Sequence, residues 1–573
     1  MSIWYLTDAA RFGAEHEALR ALAGRVEWLD LSAPRLDTSG RVSVALEIAV
    51  LDRAFKAELV YPHTFPFTPP SVLPTEREHW SGHQYGGGGE LCLEWGADNW
   101  TPERTGADMV VSAERLLSGE GHVEGEVPAQ VPSRHALTLG QDVRNKSFRF
   151  VITETAAAHL VALPPAASFR ARLLWNDNDK QHQLAVVDIA LGDEAAWTDP
   201  SAPRALWANN TLYPAKGFRL PKGMTAPLSA SAPELRAFLE EHGCLLPVDD
   251  RPPGPDLLLL CGDDGARLIY FYKESDETFD FTPILAKAAN RLPTAYQGLS
   301  AKSVGLVGCG SAGSKIANTL ARAGVGRLVL VDDDVLLPEN LVRNDLDWTV
   351  MGEHKVRGVA RRADLAAPGV VVEPHIKRLA GQEASGVADG ILHRLQGCDL
   401  IIDATADPEV FNLLSGVVAA AKKPFLWLEI FAGGIGGLVA RSRPGLDPTP
   451  QLARVKIDAW CGDQGVPPPR PSRPYEADVD GEPLIADDAD VAAIAAHAVR
   501  MALDMLVETE ASAFPCSAYL IGLRPGWIFS QPFDTRAIDL GAPEVRAVAP
   551  PSKADVELIC KMFVDLGAQT SNS

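Results

Sequence analysis

The stretch SVGLVGCGSAGSKIANTLARAGVGRLVLVD, residues 303–332, decides the fold class of the C-terminal half of this chain. An apolar strand, a glycine loop, an amphipathic helix and a second apolar strand follow one another in it, as in the βαβ unit of a doubly wound sheet. The loop contains the GxGxxG motif of Gly308, Gly310 and Gly313. Its position between strand and helix lets backbone N–H groups approach a phosphate. The pattern predicts a nucleotide site at the carboxyl edge of a parallel sheet.

The glycine motif alone does not distinguish one nucleotide chemistry from another. Asp332 closes the second strand, where a nicotinamide-dependent dehydrogenase has its ribose-binding acid, so an NAD-dependent oxidoreductase is one alternative. Residues 331–355 favour a triphosphate, because they supply two cations and a polar amide near the loop. The residues concerned are Asp334, Asn340, Arg343 and Lys355.

A triphosphate substrate also requires a carboxylate that holds magnesium. Cations neutralise the phosphates, and the metal organises attack at the α-phosphorus. Asp403 ends a later apolar strand in LIIDATADP, residues 400–408, and we expect it at the same edge of the sheet. The sequence therefore predicts ATP and Mg²⁺ as cofactors, with Asp403 as the metal ligand.

Residues 301–407 resemble the adenylation domain of ubiquitin-activating (E1) enzymes and of the ThiF-like relatives that activate sulfur-carrier proteins. That family shows a glycine loop, D-x-D, N-x-x-R, a following lysine and a magnesium-binding aspartate, in this order. The resemblance implies that Asp332 binds ribose and that Arg343 and Lys355 bind the phosphates. The residue after the arginine is Asn344, where the family usually has glutamine.

The N-terminal part, residues 40–118, resembles the core of ubiquitin-conjugating (E2, or UBC) enzymes. The resemblance is carried by YPHTFPFTPPSVLP at 61–74 and by ELCLEW at 90–95, followed by a tryptophan, a proline and a helix. It makes Cys92 the expected thioester-forming cysteine, on a loop between sheet and helix. The alternative is a buried structural cysteine between two leucines.

One E2 motif is missing from the N-terminal part. The family usually has His-Pro-Asn ahead of the cysteine, and the asparagine assists the oxyanion as an amine attacks. Here the stretch reads SGHQYGGGG, residues 81–89, with His83 and Gln84 near the expected place. Gln84 is the candidate for the amide donor.

E1-like enzymes that pass the acyl group onward carry a second cysteine in a loop crossing the adenylate. Cys461 lies in the Pro/Gly-rich residues 441–489, which we expect to form this crossover loop without regular structure and to leave the thiol exposed and mobile. Cys516 is the second candidate. A purely structural role for Cys461 is the alternative.

Composition excludes several function classes. The chain has 573 residues, with 53 Lys and Arg against 75 Asp and Glu, a formal net charge of -22 and no long basic tract. This argues against nucleic-acid binding. Apolar runs fall far short of the roughly 18 residues of a membrane helix, and the start does not resemble a signal peptide, so a cytoplasmic protein is expected. Eight cysteines without a CxxC pair predict neither a disulfide framework nor a zinc ribbon.

We therefore expect an α/β multidomain protein with three parts. Residues 1–147 form an E2-like (UBC-like) α+β conjugating domain, and residues 148–292 form a middle α/β linker domain to which the sequence assigns no function. Residues 293–573 form a doubly wound, Rossmann-like E1 adenylation domain.

The two resemblances together imply a pathway. A protein C-terminal carboxylate is adenylated, transferred to Cys461, passed to Cys92 and conjugated to an amine of a target protein. Fusions of this order resemble bacterial proteins encoded beside cGAS-like nucleotidyltransferases in CBASS anti-phage operons, where the nucleotidyltransferase supplies the carboxylate. A ubiquitin-like protein is the alternative donor. We expect a homodimer through the E1-like domain, with Arg291 as the candidate arginine lent to the partner. A catalytically silent scaffold of E2-like shape is a further alternative.

Overall fold

The computed structural model divides the chain into two compact units, Met1–Lys146 and Ser147–Ser573. The described residues are 3–76, 78–81, 83–85, 89–120, 143–144, 146–178, 181–208, 210–225, 231–243, 256–271, 278–286, 292–380, 385–465, 478–479, 482–483, 486–507, 511–543 and 552–570. Among them, no helix combines the length and the apolar composition that crossing a membrane requires. The division of the chain into three domains at residues 147 and 292 stays a prediction.

The first unit is an antiparallel sheet with helices before and after it in the sequence. Its elements are α1 (Trp4–Thr7), α2 (Ala9–Ala23), β1 (Leu29–Leu31), β2 (Arg35–Leu36), β3 (Val42–Val50), β4 (Arg53–Val60), β5 (Ser71–Pro74) and α3 (Gly106–Glu120). The strands pair in the order β1-β3-β4-β5, with β2 on β3. Apolar and polar residues alternate along β3 and β4, and this period of two buries one face of the sheet. The sheet is thus followed by helix α3, as expected for a cysteine-bearing loop between sheet and helix.

The second unit begins with a mixed nine-stranded sheet. Its elements are β6 (Phe148–Thr153), α4 (Glu154–Ala162), β7 (Ser168–Asn178), β8 (Gln181–Leu191), β9 (Trp197–Thr198), α5 (Arg204–Trp207), β10 (Leu212–Arg219), α6 (Ala232–Glu241), β11 (Asp256–Gly262), β12 (Gly265–Phe271), β13 (Thr278–Asp280) and β14 (Thr282–Ala286). The strand order is β13-β12-β11-β10-β7-β8-β6-β14, with β9 on β8.

The second sheet of this unit holds the glycine loop. Its strands are β15 (Ser303–Val307), β16 (Arg327–Val331), β17 (Val371–His375), β18 (Leu400–Asp403), β19 (Phe425–Ile430), β20 (Gly436–Ser442), β23 (Ala518–Gly522) and β24 (Thr535–Ile538), with β21 (Asp478–Val479) and β22 (Glu482–Pro483) forming a separate hairpin. Its helices are α7 (Ser311–Arg322), α8 (Lys355–Ala366), α9 (Ser385–Gln396), α10 (Pro408–Ala421), α11 (Pro450–Asp463) and α12 (Asp488–Leu506), followed by α13 (Lys553–Thr570). Strand order is β17-β16-β15-β18-β19-β20-β23-β24.

Helices cover both faces of this second sheet. The strands from β17 to β19 run parallel, and the remaining pairs are antiparallel. Alternate strand residues enter two cores: Leu306 packs with residues of α7, α8 and α12, whereas Val307 packs with residues of α9, α10 and α11. Strands buried on both faces are apolar throughout, as the runs at β15, β16 and β18 are. The predicted doubly wound architecture is confirmed.

Residues 441–489 contain regular structure that the sequence analysis did not predict. A helix of 14 residues, α11, spans Pro450–Asp463 in the middle of this segment. Its proline occupies the first turn, where the missing N–H has no intrahelical partner to lose. Most prolines of the segment follow residue 465, so its average composition concealed the helix. The prediction of an irregular crossover loop is therefore wrong for residues 450–463.

Candidate nucleotide and thiol site

Two of the three motif glycines are required by close backbone packing. Gly308 has φ of +91°, a left-handed conformation that side chains disfavour. A Cβ atom on Gly313 would lie 1.9 Å from the carbonyl oxygen of Gly308, because helix α7 packs directly against the loop. Gly310 is the N-cap of α7, and a Cβ atom there would meet nothing within 4 Å. Gly310 therefore leaves open space in front of the N-terminus of α7.

A cavity of about 510 Å³ opens at this N-terminus. Among the residues that line it are Gly310, Asp334, Asn340, Arg343, Lys355 and Cys461. The structure thus brings together five predicted cofactor-binding residues and one predicted thiol, although they come from four different segments of the chain. The remaining predicted residues, Gly308, Gly313, Asp332 and Asp403, support this cavity or adjoin it.

Lys355 is held at the cavity by an ion pair. It is the first residue of α8 and only 9% exposed, and its Nζ lies 3.0 Å from Oδ2 of Asp334. A cation at a helix N-terminus faces the positive end of the helix dipole, so the carboxylate of Asp334 offsets an otherwise unfavourable position. The lysine and the N-termini of α7 and α8 together make this side of the cavity suited to an anion.

Two amide side chains hold the N-x-x-R segment, one within its own turn and one against the glycine loop. Asn340 accepts a hydrogen bond from the backbone N–H of Leu337 at 3.1 Å, which closes the turn preceding Arg343. Asn344 is buried, and its Nδ2 donates to the carbonyl of Cys309 at 3.4 Å. The asparagine that stands in place of the usual glutamine therefore reaches the loop, and it also lines the cavity.

Asp332 supports the glycine loop through both carboxylate oxygens. Oδ2 accepts a hydrogen bond from the N–H of Cys309 at 2.6 Å, and Oδ1 accepts one from the N–H of Asp334 at 2.8 Å. Burial raises the pKa of this carboxyl above its ordinary value. In the described lining of the cavity Asp332 itself is absent, so its binding of ribose stays a proposal.

Asp403 lies at the end of β18 and is 2% exposed. Its Oδ1 accepts hydrogen bonds from the N–H and the hydroxyl of Thr405, at 2.9 and 2.6 Å. Burial, with smaller contributions from the nearby carboxylates of Asp407 and Glu429, raises the pKa of Asp403 to about 6. It lines a small pocket that shares Glu429 and Arg454 with the nucleotide cavity. A carboxylate oxygen is the kind of ligand that Mg²⁺ prefers, and Mg²⁺ usually binds through one or two carboxylates together with substrate phosphates, so Asp403 fits the role of a single protein ligand.

Cys461 lies on helix α11 and lines the nucleotide cavity. It is 2% exposed, which contradicts the expectation of an exposed and mobile thiol. The reason is the helix itself, whose buried residues Ala453, Ile457 and Cys461 recur every fourth position and pack into the sheet. Cys516 lies on a loop before β23 and is absent from the described cavity lining. Of the two candidate thiols, only Cys461 therefore adjoins the predicted nucleotide residues.

Cys92, in the first unit, is 8% exposed. Its N–H donates to the carbonyl of His83 at 2.8 Å, and Gln84 forms an isolated bridge with Leu91. Burial raises the pKa of the Cys92 thiol to about 11, with a smaller contribution from the charge of Glu90. At neutral pH this thiol is protonated, so it requires deprotonation before it can act as a nucleophile.

Gln84 does not present an amide donor in the manner that the sequence analysis expected. Its Nε2 donates to the carbonyls of Glu78 and Gly89, at 2.9 and 2.8 Å, and its Oε1 accepts from the N–H of Trp80 at 2.9 Å. Both amide hydrogens are thus used to hold the turn beside Cys92. The side chain braces the loop, and this arrangement leaves no hydrogen for an oxyanion.

Three charged residues of the cavity were missed in the sequence analysis: Glu429, at the end of β19, and Arg454 and Asp458 on α11. The spacing of Arg454, Asp458 and Cys461, at positions i, i+4 and i+7, places them on one helix face, but this signal is visible only once residues 450–463 are known to be helical. Arg291, the predicted arginine lent to a partner, lies outside the described residues.

Comparisons with known proteins identify part of the chain. The ThiF family matches residues 286–447. The chain is 33% identical over 169 residues to the uncharacterized protein y4oA of Sinorhizobium fredii, an alignment covering 27% of this chain and 28% of that protein. It is 31% identical over 123 residues to the ATP-dependent ubiquitin transferase-like protein Cap2 of Pseudomonas aeruginosa, covering 21% of this chain and 20% of that protein. The alignments thus span less than a third of either relative's length.

A solved structure shows a weaker similarity, in both sequence and fold. The crystal structure of E. coli MccB with ATP is 15% identical, with a TM-score of 0.34, and the match covers 45% of this chain and 69% of MccB. The ThiF match spans the glycine loop, the N-x-x-R segment and Asp403. Residues 286–447 are thus similar to the ThiF family, and the chain joins this E1-like segment to further α/β structure.

Proposed function

We propose that this chain uses ATP to activate a protein C-terminal carboxylate and then transfers the acyl group as a thioester. The observation that carries the proposal is the shared cavity, in which a glycine-loop helix N-terminus, Arg343, Lys355 and the thiol of Cys461 face the same space. A nicotinamide cofactor does not require a thiol there, whereas acyl activation followed by thioester formation requires both.

In this proposal the phosphates of ATP occupy the side of the cavity that is next to α7 and α8. The N-terminus of α7 supplies backbone donors, and Arg343 and Lys355 neutralise charge. Asp332 binds the ribose from the end of β16. Asp403 would hold Mg²⁺, which screens the negative charge of the phosphates against the incoming carboxylate.

Two group transfers follow. A carboxylate oxygen of the donor protein attacks the α-phosphorus of ATP, so that an oxygen–phosphorus bond forms and pyrophosphate leaves. The thiol of Cys461 then attacks the acyl carbon of the adenylate. A carbon–sulfur bond forms, the bond to AMP breaks, and the thiol proton is released to solvent. AMP thereby leaves, and the donor acyl group stays activated as a thioester on Cys461.

The first unit would receive the acyl group at Cys92. Thiol exchange moves the acyl group from Cys461 to Cys92 and returns the thiol proton to Cys461, and a target amine then displaces Cys92 to form an amide. The resemblance of residues 40–118 to E2 enzymes supports this step, as does the succession of helix, five-stranded antiparallel sheet and helix. The name of the Cap2 relative, a ubiquitin transferase-like protein, favours the same class of reaction.

The donor is a protein with an activatable C-terminus. A cGAS-like nucleotidyltransferase primed for anti-phage defence and a ubiquitin-like protein are the two candidates, and the target is a protein amine. We propose that the E1-like domain works as a homodimer. No nucleic acid or membrane takes part in the proposed reaction.

The test of the proposed function is ATP–pyrophosphate exchange, with the C-terminal peptide of the protein encoded beside this chain's gene as the donor. Exchange that depends on the peptide and on ATP supports adenylation. Cys461→Ala is expected to retain exchange because the thiol acts after the adenylate, and Cys516→Ala is the matched control. Absence of exchange with both a nucleotidyltransferase and a ubiquitin-like donor would contradict the proposal.

A further inference from the structure

Helix α11 presents a guanidinium as well as a thiol to the nucleotide cavity. Arg454 and Cys461 are seven residues apart, which is about two helical turns, so both side chains belong to the same face. Both line the cavity, together with Asp458 and Ile457 of the same helix. One helix therefore supplies a cation, a carboxylate and the thiol to this side of the cavity, and Glu429 of β19 adds a second carboxylate.

The surroundings of Arg454 connect the cavity with the Asp403 pocket. Arg454 lines both spaces, and its side chain is 28% exposed. Its Nη2 lies 3.8 Å from Oε1 of Glu429, and its guanidinium carbon lies 4.8 Å from the centre of the Phe411 ring. The ring contacts the guanidinium by a cation–π interaction. The 3.8 Å separation from Glu429 exceeds hydrogen-bond length, so within the described part of the chain no close acceptor occupies the N–H donors of Arg454.

The lining of the cavity differs between its two sides. Next to α7 and α8 it is polar, with Asp334, Asn340 and Arg343. Next to α11 the lining combines the charged side chains of Glu429, Arg454 and Asp458 with an apolar wall. The wall consists of Leu438, Leu520 and Ile457, which are buried residues of one core that also contains Cys461. A polar side suits phosphates, and an apolar wall suits the terminal segment of a polypeptide.

The cations of the cavity are also distributed over both of its sides. Adenylation brings a carboxylate next to an already negative triphosphate, so cations must serve both anions. In the described part of the chain, three cations line the cavity: Arg343, Lys355 and Arg454. The first two belong to the polar side, and Lys355 is already paired with Asp334. Arg454 is the one cation that stands at the apolar wall.

We propose that Arg454 binds the C-terminal carboxylate of the donor polypeptide and orients it for attack on the α-phosphorus. A guanidinium matches a carboxylate with two parallel hydrogen bonds, which fixes the oxygen that reacts. The carboxylate replaces Glu429 at Arg454 on binding. This inference rests on the proposed function and adds to it the residue that recognises the donor's terminal charge.

The test compares Arg454→Gln and Arg454→Lys with wild type. The probe is the C-terminal peptide of the protein encoded beside this gene, used in pyrophosphate exchange with ATP saturating. We expect Arg454→Gln to raise the peptide KM about a hundredfold while the Kd of ATP, measured by calorimetry, changes less than threefold. Arg454→Lys recovers part of the loss, since it retains charge without bidentate geometry, and free guanidinium partly rescues Arg454→Ala.

Lys456→Gln is the matched control. It removes a cation from the same helix, but Lys456 donates to the carbonyl of Leu540 and is absent from the described cavity lining. We expect an unchanged peptide KM in this variant. An unchanged peptide KM in Arg454→Gln, or a loss of ATP affinity that accounts for the whole effect, would overturn the inference. Failure of exchange in wild type would instead contradict the proposed function, so the two failures are distinguishable.

Discussion

Replacing Gly313 by alanine tests the structural basis of the nucleotide site. The new Cβ atom would lie 1.9 Å from the carbonyl oxygen of Gly308, whereas ordinary contact begins near 3.4 Å. Because the atom that must move is backbone, the glycine loop has to shift by about 1.5 Å. We expect overpacking to cost about 1–3 kcal/mol of unfolding free energy in this domain.

The same displacement of the glycine loop should weaken the binding of ATP. A loop amide moved by this amount no longer reaches a phosphate oxygen, and each charge-assisted hydrogen bond lost costs about 1.5–3 kcal/mol, or about ten- to a hundredfold in affinity. Calorimetric titration of Gly313→Ala with ATP and thermal melting measure the two effects. Gly416→Ala is the matched control, because a Cβ atom on that helical glycine meets nothing within 4 Å. It should bind ATP normally and melt at or slightly above the wild-type temperature. Wild-type ATP affinity and melting in Gly313→Ala would refute this reasoning.

Two further perturbations test the two halves of the proposed reaction. Asp403→Asn keeps the shape of the buried side chain but removes the charge that would hold Mg²⁺, so we expect pyrophosphate exchange to fall at least about a hundredfold with little change in melting temperature; exchange at the wild-type rate would remove Asp403 from the reaction. With a pKa of about 11, the Cys92 thiol should alkylate about tenfold faster for each pH unit gained between 7 and 10. Glu90→Gln removes a negative charge that disfavours the thiolate, so it should lower this pKa and speed iodoacetamide labelling of Cys92 at pH 8, measured by mass spectrometry of the Cys92 peptide. Slower labelling would contradict the assigned cause.

The sequence predicted the ThiF-like sheet because its signals are local. A glycine loop between an apolar strand and an amphipathic helix requires only neighbouring residues, and parallel strands then bring Asp403 near the loop by topology. Asp334, Asn340, Arg343 and Lys355 were found in the same way, since they follow one strand within one short segment.

The rest of the site depends on long-range packing, which the sequence does not display. Helix α11 was missed because prolines after residue 465 dominated the composition of its surroundings. Glu429 on β19 and Arg454 on α11 lie close together only in the folded chain, and no spacing in the sequence reveals this. The sequence suggests Gln84 as a hydrogen-bond donor to an oxyanion. Its amide hydrogens instead bind two backbone carbonyls that lie within reach only in the folded chain.

The central claim is that the thiol of Cys461 receives the acyl group activated in the adjoining nucleotide cavity. The most direct measurement is a non-reducing gel, with mass spectrometry of the adduct, after incubating the protein with ATP, magnesium and the C-terminal peptide of the neighbouring gene's product. Cys92→Ala should trap an ATP-dependent, thiol-reducible adduct on Cys461, and Cys461→Ala should form no adduct while still releasing pyrophosphate. An adduct on Cys92 or Cys516 that forms at the wild-type rate in Cys461→Ala would contradict the account.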